Sequence, residues 1–151
     1  AIGKTDNKNL QALIDEYTKR LGFYIKFDLD VIPDIKNVKN LSESEQKTKE
    51  GQLILSKLTP TDQLILLDEN GKEFNSVGFS DFLQKKMNSG IKTLVFVIGG
   101  PYGFSVDLYQ KAQGKVALSQ MTFSHQMVRL FVIEQIYRGF TILNNEPYHH
   151  N

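Results

Sequence analysis

Acidic, basic and imidazole side chains on the last predicted helix could handle a proton during catalysis. That helix covers residues 125–138 and carries His125, Glu134 and Arg138. Glu134 and Arg138 have an i,i+4 spacing, which places them on one helix face and stabilises a helix by about 0.2–0.5 kcal/mol. A carboxylate or imidazole could accept a proton, and a guanidinium could stabilise a negative charge. A purely structural ion pair explains the same spacing, so both interpretations stay open.

The polar carboxyl-terminal tail adds an aromatic ring and further imidazoles. Pro147 is followed by Tyr148, His149 and His150, in a position where most chains fray. A tyrosine ring can stack on a nucleic-acid base, and a histidine can exchange a proton near neutral pH. Because the tail is polar and terminal, we expect it to contribute little to stability and to act on a substrate.

A glycine-rich run at residues 99–103 follows the most strand-like segment of the chain and precedes a helix. Open α/β sheets bind ligands at this position, and glycine lets a ligand approach the backbone closely. The spacing matches neither the dinucleotide fingerprint nor a phosphate-binding P-loop. A turn that merely needs glycine explains the run equally well.

The segment at residues 119–124 is a second candidate for ligand binding. Its hydroxyls and amide could offer hydrogen bonds beside the amino terminus of the last helix. The simpler interpretation, which the segment alone favours, is that Ser124 only caps that helix.

Composition excludes several kinds of site. The chain has no cysteine, hence no disulfide or thiolate site, and its three histidines lack the clustered carboxylates of a metal centre. No apolar run approaches the roughly 18 residues of a membrane helix. The absence of cysteine favours a reducing cytoplasm. The net charge is +1, but residues 1–83 carry 11 Lys/Arg against 14 Asp/Glu (−3), and residues 84–151 carry 7 against 3 (+4). The basic half is a modest hint of a nucleic-acid partner.

Short apolar runs alternate with amphipathic stretches, which predicts βαβ units and a mostly parallel sheet. Predicted helices cover residues 7–21, 42–57, 80–88, 105–113 and 125–138, and predicted strands cover residues 23–29, 63–67, 93–98 and 116–118. Residues 68–71 are predicted to form a turn. Ser42, with Glu45 three residues later, predicts a capping box at the start of the helix at residues 42–57. The 151 residues contain no linker or repeat, so we expect one domain over residues 1–151. The last helix is apolar nearly all round, which predicts that a partner subunit covers one face.

Taken in order, these segments resemble the RlmH family of SPOUT methyltransferases. The matching segments are Gly3-Lys4, Leu66-Leu67-Asp68, Gly71-Lys72, residues 98–103, residues 118–125, Val128-Arg129, Glu134, Tyr137-Arg138 and Pro147-Tyr148-His149. Each is weak alone, whereas the ordered set across essentially the whole chain is highly specific.

The resemblance implies an α/β fold with a mostly parallel sheet, helices on both faces and a C-terminal trefoil knot, a topology that composition could never suggest. It implies a homodimer with an active site shared between subunits, S-adenosylmethionine as the methyl donor and no metal. The implied reaction is methylation of ring N3 of a pseudouridine in large-subunit ribosomal RNA, on the assembled ribosome.

The family's motifs also assign roles to residues of this chain. Cofactor contacts fall on Leu67, Gly100, Ser119, Gln120, Met121, Thr122, Phe123 and Ser124. Catalytic or RNA-facing roles fall on His125, Glu134, Arg138, Tyr148 and His149. A side chain at Gly100 is expected to enter space that the ligand needs, or to force a backbone angle that only glycine tolerates.

The chain departs from the family's pattern in two places. The family has several apolar residues before Gly3-Lys4, so the first strand is expected to be truncated here. His150 stands where the family often has arginine, which predicts a weaker, pH-dependent contact to phosphate. Two other functions stay open: a non-catalytic dimeric RNA- or ribosome-binding module of the same fold, and a flavodoxin-like nucleotide-binding protein.

Overall fold

The computed structural model describes residues 1–150 of the chain. The helices are α1 (Lys8–Leu21), α2 (Glu43–Lys57), α3 (Ser76–Asn88), α4 (Val106–Lys111) and α5 (His125–Leu143), and the strands are β1 (Gln63–Glu73), β2 (Leu94–Ile98) and β3 (Gly114–Ala117). A short 3₁₀ turn covers Val38–Asn40. The capping box predicted at the start of α2 is confirmed, because Ser42 and Glu45 each accept the other's backbone N–H.

The three strands form a parallel sheet in the order β2-β1-β3. Helices lie on both faces of the sheet. On one face, α1, α3 and α5 enclose a cluster that includes Leu10, Ile14, Phe79, Leu83, Ile133 and Phe140. On the other, α2 and α4 enclose a cluster that includes Ile54, Leu64, Leu66, Val97 and Leu108. The predicted α/β class with a parallel sheet is confirmed.

The strand predicted at residues 23–29 is wrong. The backbone N–H groups of Phe23, Tyr24 and Ile25 bond back into the last turn of α1, so the chain leaves the helix through turns. Phe23 is 82% exposed, and residues 25–30 are separated from β2 by a cavity. Without a neighbouring strand to receive its hydrogen bonds, the alternating sequence does not form a ladder.

Residues 68–71, predicted to form a turn, loop out of β1, which continues beyond them to Glu73. Leu67 and Lys72 both pair with Val116, and the register shifts between them. The intervening residues bulge while the strand continues in the same direction. An added Cβ at Gly71 would lie 2.6 Å from backbone atoms of Val116, so this contact between β1 and β3 requires glycine.

Several element boundaries differ from the prediction. The Asn75 side chain accepts the N–H of Gly78, so α3 begins at Ser76 and not at residue 80. α5 continues past Arg138 to Leu143. α4 ends at Lys111, and β3 begins at Gly114 instead of residue 116. Within residues 1–150, no helix is long and apolar enough to cross a membrane.

Candidate active site

A cavity of about 410 Å³ lies at the carboxyl end of β2, beside the looped-out residues 68–71 of β1. Its walls come mainly from residues 67–70, residues 98–104 and residues 118–123. This is the edge where parallel sheets bind ligands, and the volume falls in the range of small-molecule sites, about 300–1,000 Å³. A larger cavity of about 610 Å³ beside β2 contains none of the predicted site residues. The smaller cavity is therefore the candidate site.

Most of the residues predicted to contact a cofactor line this cavity. They are Leu67, Gly100, Ser119, Met121, Thr122 and Phe123. Gln120 and Ser124 are not part of the lining. Ser124 accepts the N–H of Gln126 at 3.2 Å, so it caps α5, as the simpler interpretation of this segment held. His125, predicted to be catalytic, also lines the cavity.

Gly100 has to be glycine because of a neighbour behind the loop, and not for either of the two reasons that the sequence suggested. Its φ is not positive, so no special backbone angle requires glycine here. A Cβ would point away from solvent and lie 2.7–2.8 Å from the carboxylate oxygens of Glu50 on α2. A side chain at this position would therefore push on a buried neighbour and displace the loop. Sequence reasoning missed Glu50 because a lone glutamate on an amphipathic helix is ordinarily exposed.

Asp68 and Tyr109 complete the cavity wall and were also missed. The Tyr109 hydroxyl donates to the Asp68 carboxylate, whose other oxygen accepts the Asn70 N–H at 2.8 Å. Burial and then the bond to Asp68 raise the pKa of Tyr109 to about 12, so the phenol stays protonated at neutral pH. The signal that was available is Asp68 itself, a carboxylate directly after a buried strand.

Four of the five residues predicted to be catalytic meet in one cluster along α5. Arg138 donates to Glu134 Oε1 through Nη2 at 2.6 Å and through Nε at 3.1 Å. The Tyr148 hydroxyl donates to the same oxygen at 3.0 Å, and Arg138 Nη1 lies 3.3 Å from His149 Nδ1. The side chains of Arg138 and Glu134 are 24% and 19% exposed. The cluster therefore combines a carboxylate, a guanidinium, a phenol and an imidazole at a partly exposed surface.

The protonation of Tyr148 limits what it can do. Burial, then hydrogen bonds with Tyr17 and Glu134, raise the pKa of Tyr148 well above its ordinary value. The phenol is therefore a hydrogen-bond donor at neutral pH and not a proton acceptor.

The tail packs against the rest of the chain, although its polar sequence was expected to contribute little to stability. The Tyr148 ring packs edge-on against Tyr137 at 4.8 Å between centroids, and its hydroxyl lies 3.2 Å from that of Tyr17. Tyr24 donates to Glu146, which holds the beginning of the tail. Tyr148 and His149 are half-buried as a result. A polar terminal sequence gives no sign of these contacts, because their partners are distant in the chain.

The sequence profile of the family described as predicted SPOUT methyltransferases matches residues 1–149. The chain belongs to the SPOUT methyltransferase family. It is 83% identical over 150 residues to proteins of Flavobacterium psychrophilum and Flavobacterium johnsoniae, covering 99% of this chain and 96% of each relative. It is 64% identical over 149 residues to a protein of Parabacteroides distasonis, covering 99% of this chain and 95% of that protein. All three are named ribosomal RNA large subunit methyltransferase H, which confirms the predicted resemblance to the RlmH family.

Within the chain of this SPOUT methyltransferase, the cavity and the cluster are apart. His125 lies at the cavity and begins α5, whereas Glu134 and Arg138 lie further along the same helix. At a rise of 1.5 Å per residue, they stand about 13 and 20 Å from His125 along the axis. Among residues 1–150, no group of three or more histidine, aspartate or glutamate residues could hold a metal ion.

We expect Tyr17→Phe to loosen the tail while Tyr137→Phe does not. The Tyr17 hydroxyl bonds to Tyr148, whereas the Tyr137 hydroxyl makes no hydrogen bond within residues 1–150, and both rings belong to the same aromatic cluster. Loss of one hydrogen bond costs about 0.5–1.5 kcal/mol of unfolding free energy. Urea unfolding of both variants measures the difference, and equal stabilities would contradict the anchoring role.

Proposed function

We propose that this protein transfers a methyl group from S-adenosylmethionine to ring N3 of a pseudouridine in large-subunit ribosomal RNA. The observation that carries the proposal is the cluster of Glu134, Arg138, Tyr148 and His149. Methylation of a ring nitrogen needs a group that takes its proton and a group that stabilises the resulting negative charge. The names of the relatives support ribosomal RNA as the substrate.

The cavity at the carboxyl end of β2 suits S-adenosylmethionine. Gly99 and Gly100 present bare backbone, Ser119 and Thr122 offer hydroxyls, and Leu67 offers apolar surface. When bound, the cofactor supplies a methyl group on a positively charged sulfur. The loops hold the donor in one orientation, which is the main contribution a protein makes to such a transfer.

The residues of the cluster would manage the nucleobase proton. Glu134, His149 and His125 are the candidate acceptors of the N3 proton. The Tyr148 ring is suited to stack on the base, while its hydroxyl proton holds Glu134 in place. Arg138 would stabilise the anion that forms when N3 loses its proton.

We further propose that two subunits form each active site. In one chain about 13–20 Å of helix separates the cavity from Glu134 and Arg138, so a second copy has to bring them together. An apolar surface beside the cavity is suited to that contact. It consists of Met121, Phe123, Met127 and Phe131, which are 72%, 38%, 38% and 36% exposed, and the rings of Phe123 and Phe131 are 5.3 Å apart. Patches of this kind mark protein interfaces.

Light scattering is expected to show a dimer at micromolar concentration. A stable interface of this kind buries more than about 1,000 Å² of surface. Introducing charge through Met127→Glu and Phe131→Glu should give monomers that have lost methyl transfer. Leu13→Glu, an equally exposed apolar position on α1, is the control and should remain dimeric. A wild-type monomer at this concentration would contradict the shared site.

Methyl transfer itself is tested with labelled S-adenosylmethionine and ribosomes from a strain that lacks the modification. We expect label in large-subunit RNA, located at N3 of a pseudouridine by mass spectrometry of RNA fragments. Intact ribosomes should be better substrates than purified RNA, because the nearly neutral net charge of +1 gives little affinity for RNA alone. Cofactor binding without any transfer would indicate a non-catalytic binding module.

The proposal includes the family's remaining properties. They are a single domain, a C-terminal trefoil knot around the cofactor cavity, and a cytoplasmic location together with the ribosome. Resistance of the carboxyl-terminal third to hydrogen exchange on cofactor binding would support the knot as the ligand-binding part.

A further inference from the structure

Glu50 is a buried carboxylate behind the loop that forms the candidate cofactor cavity. It lies on α2 and is 4% exposed. Oε1 accepts the Gln46 amide at 3.0 Å, and Oε2 has no hydrogen-bond partner among residues 1–150. No ion pair of the described residues includes it. A glutamate is almost never this buried without a compensating charge, so the position calls for an explanation.

The carboxylate is held directly against Gly100. An added Cβ at Gly100 would lie 2.7 Å from Oε2 and 2.8 Å from Oε1, and Gly100 itself lines the cavity. The neighbouring Gly51 packs directly against the start of α4. Its added Cβ would lie 2.3 Å from the Oγ of Ser105, the residue that caps α4, so α2 lies close against the segment that follows the loop. One glycine backbone therefore separates the carboxylate from the cavity.

We propose that Glu50 determines the preference of the site for a positively charged cofactor. The inference rests on the proposed function, because it concerns S-adenosylmethionine in the same cavity. S-adenosylmethionine and its product S-adenosylhomocysteine differ only in the methyl group and its positive charge on sulfur. A negative charge in a buried setting attracts that cation across the loop, since little water screens the interaction. The neutral thioether of the product gains nothing from it.

The consequence is selectivity between substrate and product. Glu50 touches neither compound and adds to the affinity of the charged one alone. A purely structural role in supporting the loop would instead affect both compounds equally, because they share every other group. The ratio of the two affinities separates these roles.

Glu50→Gln is the decisive variant, because it keeps the size of the side chain and its amide oxygen can still accept from Gln46. Calorimetry should show that S-adenosylmethionine binds about tenfold more weakly than to the wild type, as expected for one charge removed at short range. Affinity for S-adenosylhomocysteine should change by less than about twofold. Glu43→Gln removes an exposed carboxylate from the same helix and should change neither affinity.

Glu50→Asp is the second variant, and it retains the charge. The ratio of its affinities for S-adenosylmethionine and S-adenosylhomocysteine should therefore remain that of the wild type. Equal losses for both compounds in Glu50→Gln, no loss for either, or a changed ratio in Glu50→Asp would each overturn the inference. If the wild type binds both compounds, these outcomes contradict only the inference about Glu50 and not the proposed function. A wild type that binds neither compound would overturn the proposed function together with the inference.

Discussion

Deletion of residues 148–151 is expected to abolish methyl transfer while leaving cofactor affinity nearly unchanged. The deletion removes Tyr148 and His149 from the cluster that contains Glu134 and Arg138, far along α5 from the cavity. Because these residues would act on the nucleobase, their loss should lower turnover without a matching loss of cofactor binding. Single-turnover methylation of ribosomes and calorimetry with S-adenosylmethionine measure the two effects.

The same deletion should also lower stability, which the tail's sequence alone did not predict. The edge-on contact of Tyr148 with Tyr137 and its hydrogen bonds with Tyr17 and Glu134 are all lost. Together these contacts are worth about 1–3 kcal/mol, and each kcal/mol lowers the melting temperature by roughly 2–4 °C in a chain of this size. Tyr148→Phe keeps the ring contact and removes only the hydroxyl, so it measures how much of the lost stability comes from the two hydrogen bonds. A truncated protein that methylates at the full rate would refute the catalytic role.

Gly100→Val is expected to weaken cofactor binding by about 5- to 150-fold while the protein stays folded. Its branched side chain would collide with the buried carboxylate of Glu50, so the loop has to shift toward the cavity. Overpacking of this kind costs about 1–3 kcal/mol. If all of that free energy is lost from cofactor binding, the affinity for the cofactor falls by about 5- to 150-fold. Calorimetry with S-adenosylhomocysteine measures the loss, and circular dichroism confirms that the variant is folded.

The physical cause can be checked with a smaller substitution and its compensating partner. Gly100→Ala should weaken S-adenosylhomocysteine binding, and adding Glu50→Ala should restore part of it, because the new methyl group then has room. Equal affinities in the single and double variants would show that Glu50 is not the obstacle. Wild-type affinity in a folded Gly100→Val protein would contradict the prediction altogether.

The parts of the fold that local sequence determines could be predicted well. The capping box at Ser42 and Glu45 fixed the start of α2, and the apolar run of β2 gave a buried parallel strand. The strand predicted at residues 23–29 was wrong because alternation of apolar and polar residues shows only that a segment could form a strand. A strand also needs a neighbouring strand for its hydrogen bonds. The continuation of β1 past residue 67 was missed for a related reason, because it depends on the pairing of Lys72 and Glu73 with β3 and on the close contact of Gly71 with Val116.

The candidate site shows the same division between local and distant information. The family's motifs predicted cofactor contacts at Leu67, Gly100 and Phe123, and all three residues line the cavity. Glu50 could not be predicted, because its importance arises only where α2 packs against a loop fifty residues later in the chain. The anchoring of Tyr148 by Tyr17 likewise joins side chains 131 positions apart. Such contacts leave no spacing pattern in the sequence.

The unbroken helix α5 makes the geometry of the whole enzyme sensitive to chain length. One continuous helix, His125–Leu143, carries the cavity residue at its beginning and Glu134 and Arg138 further along. Each residue added to a helix rotates everything beyond it by about 100° and advances it by 1.5 Å. A single-residue insertion between residues 126 and 133 would therefore turn Glu134 and Arg138 relative to His125 and the cavity while leaving every side chain of the site chemically intact. Insertions and deletions in this segment therefore change the site even where none of its side chains is altered.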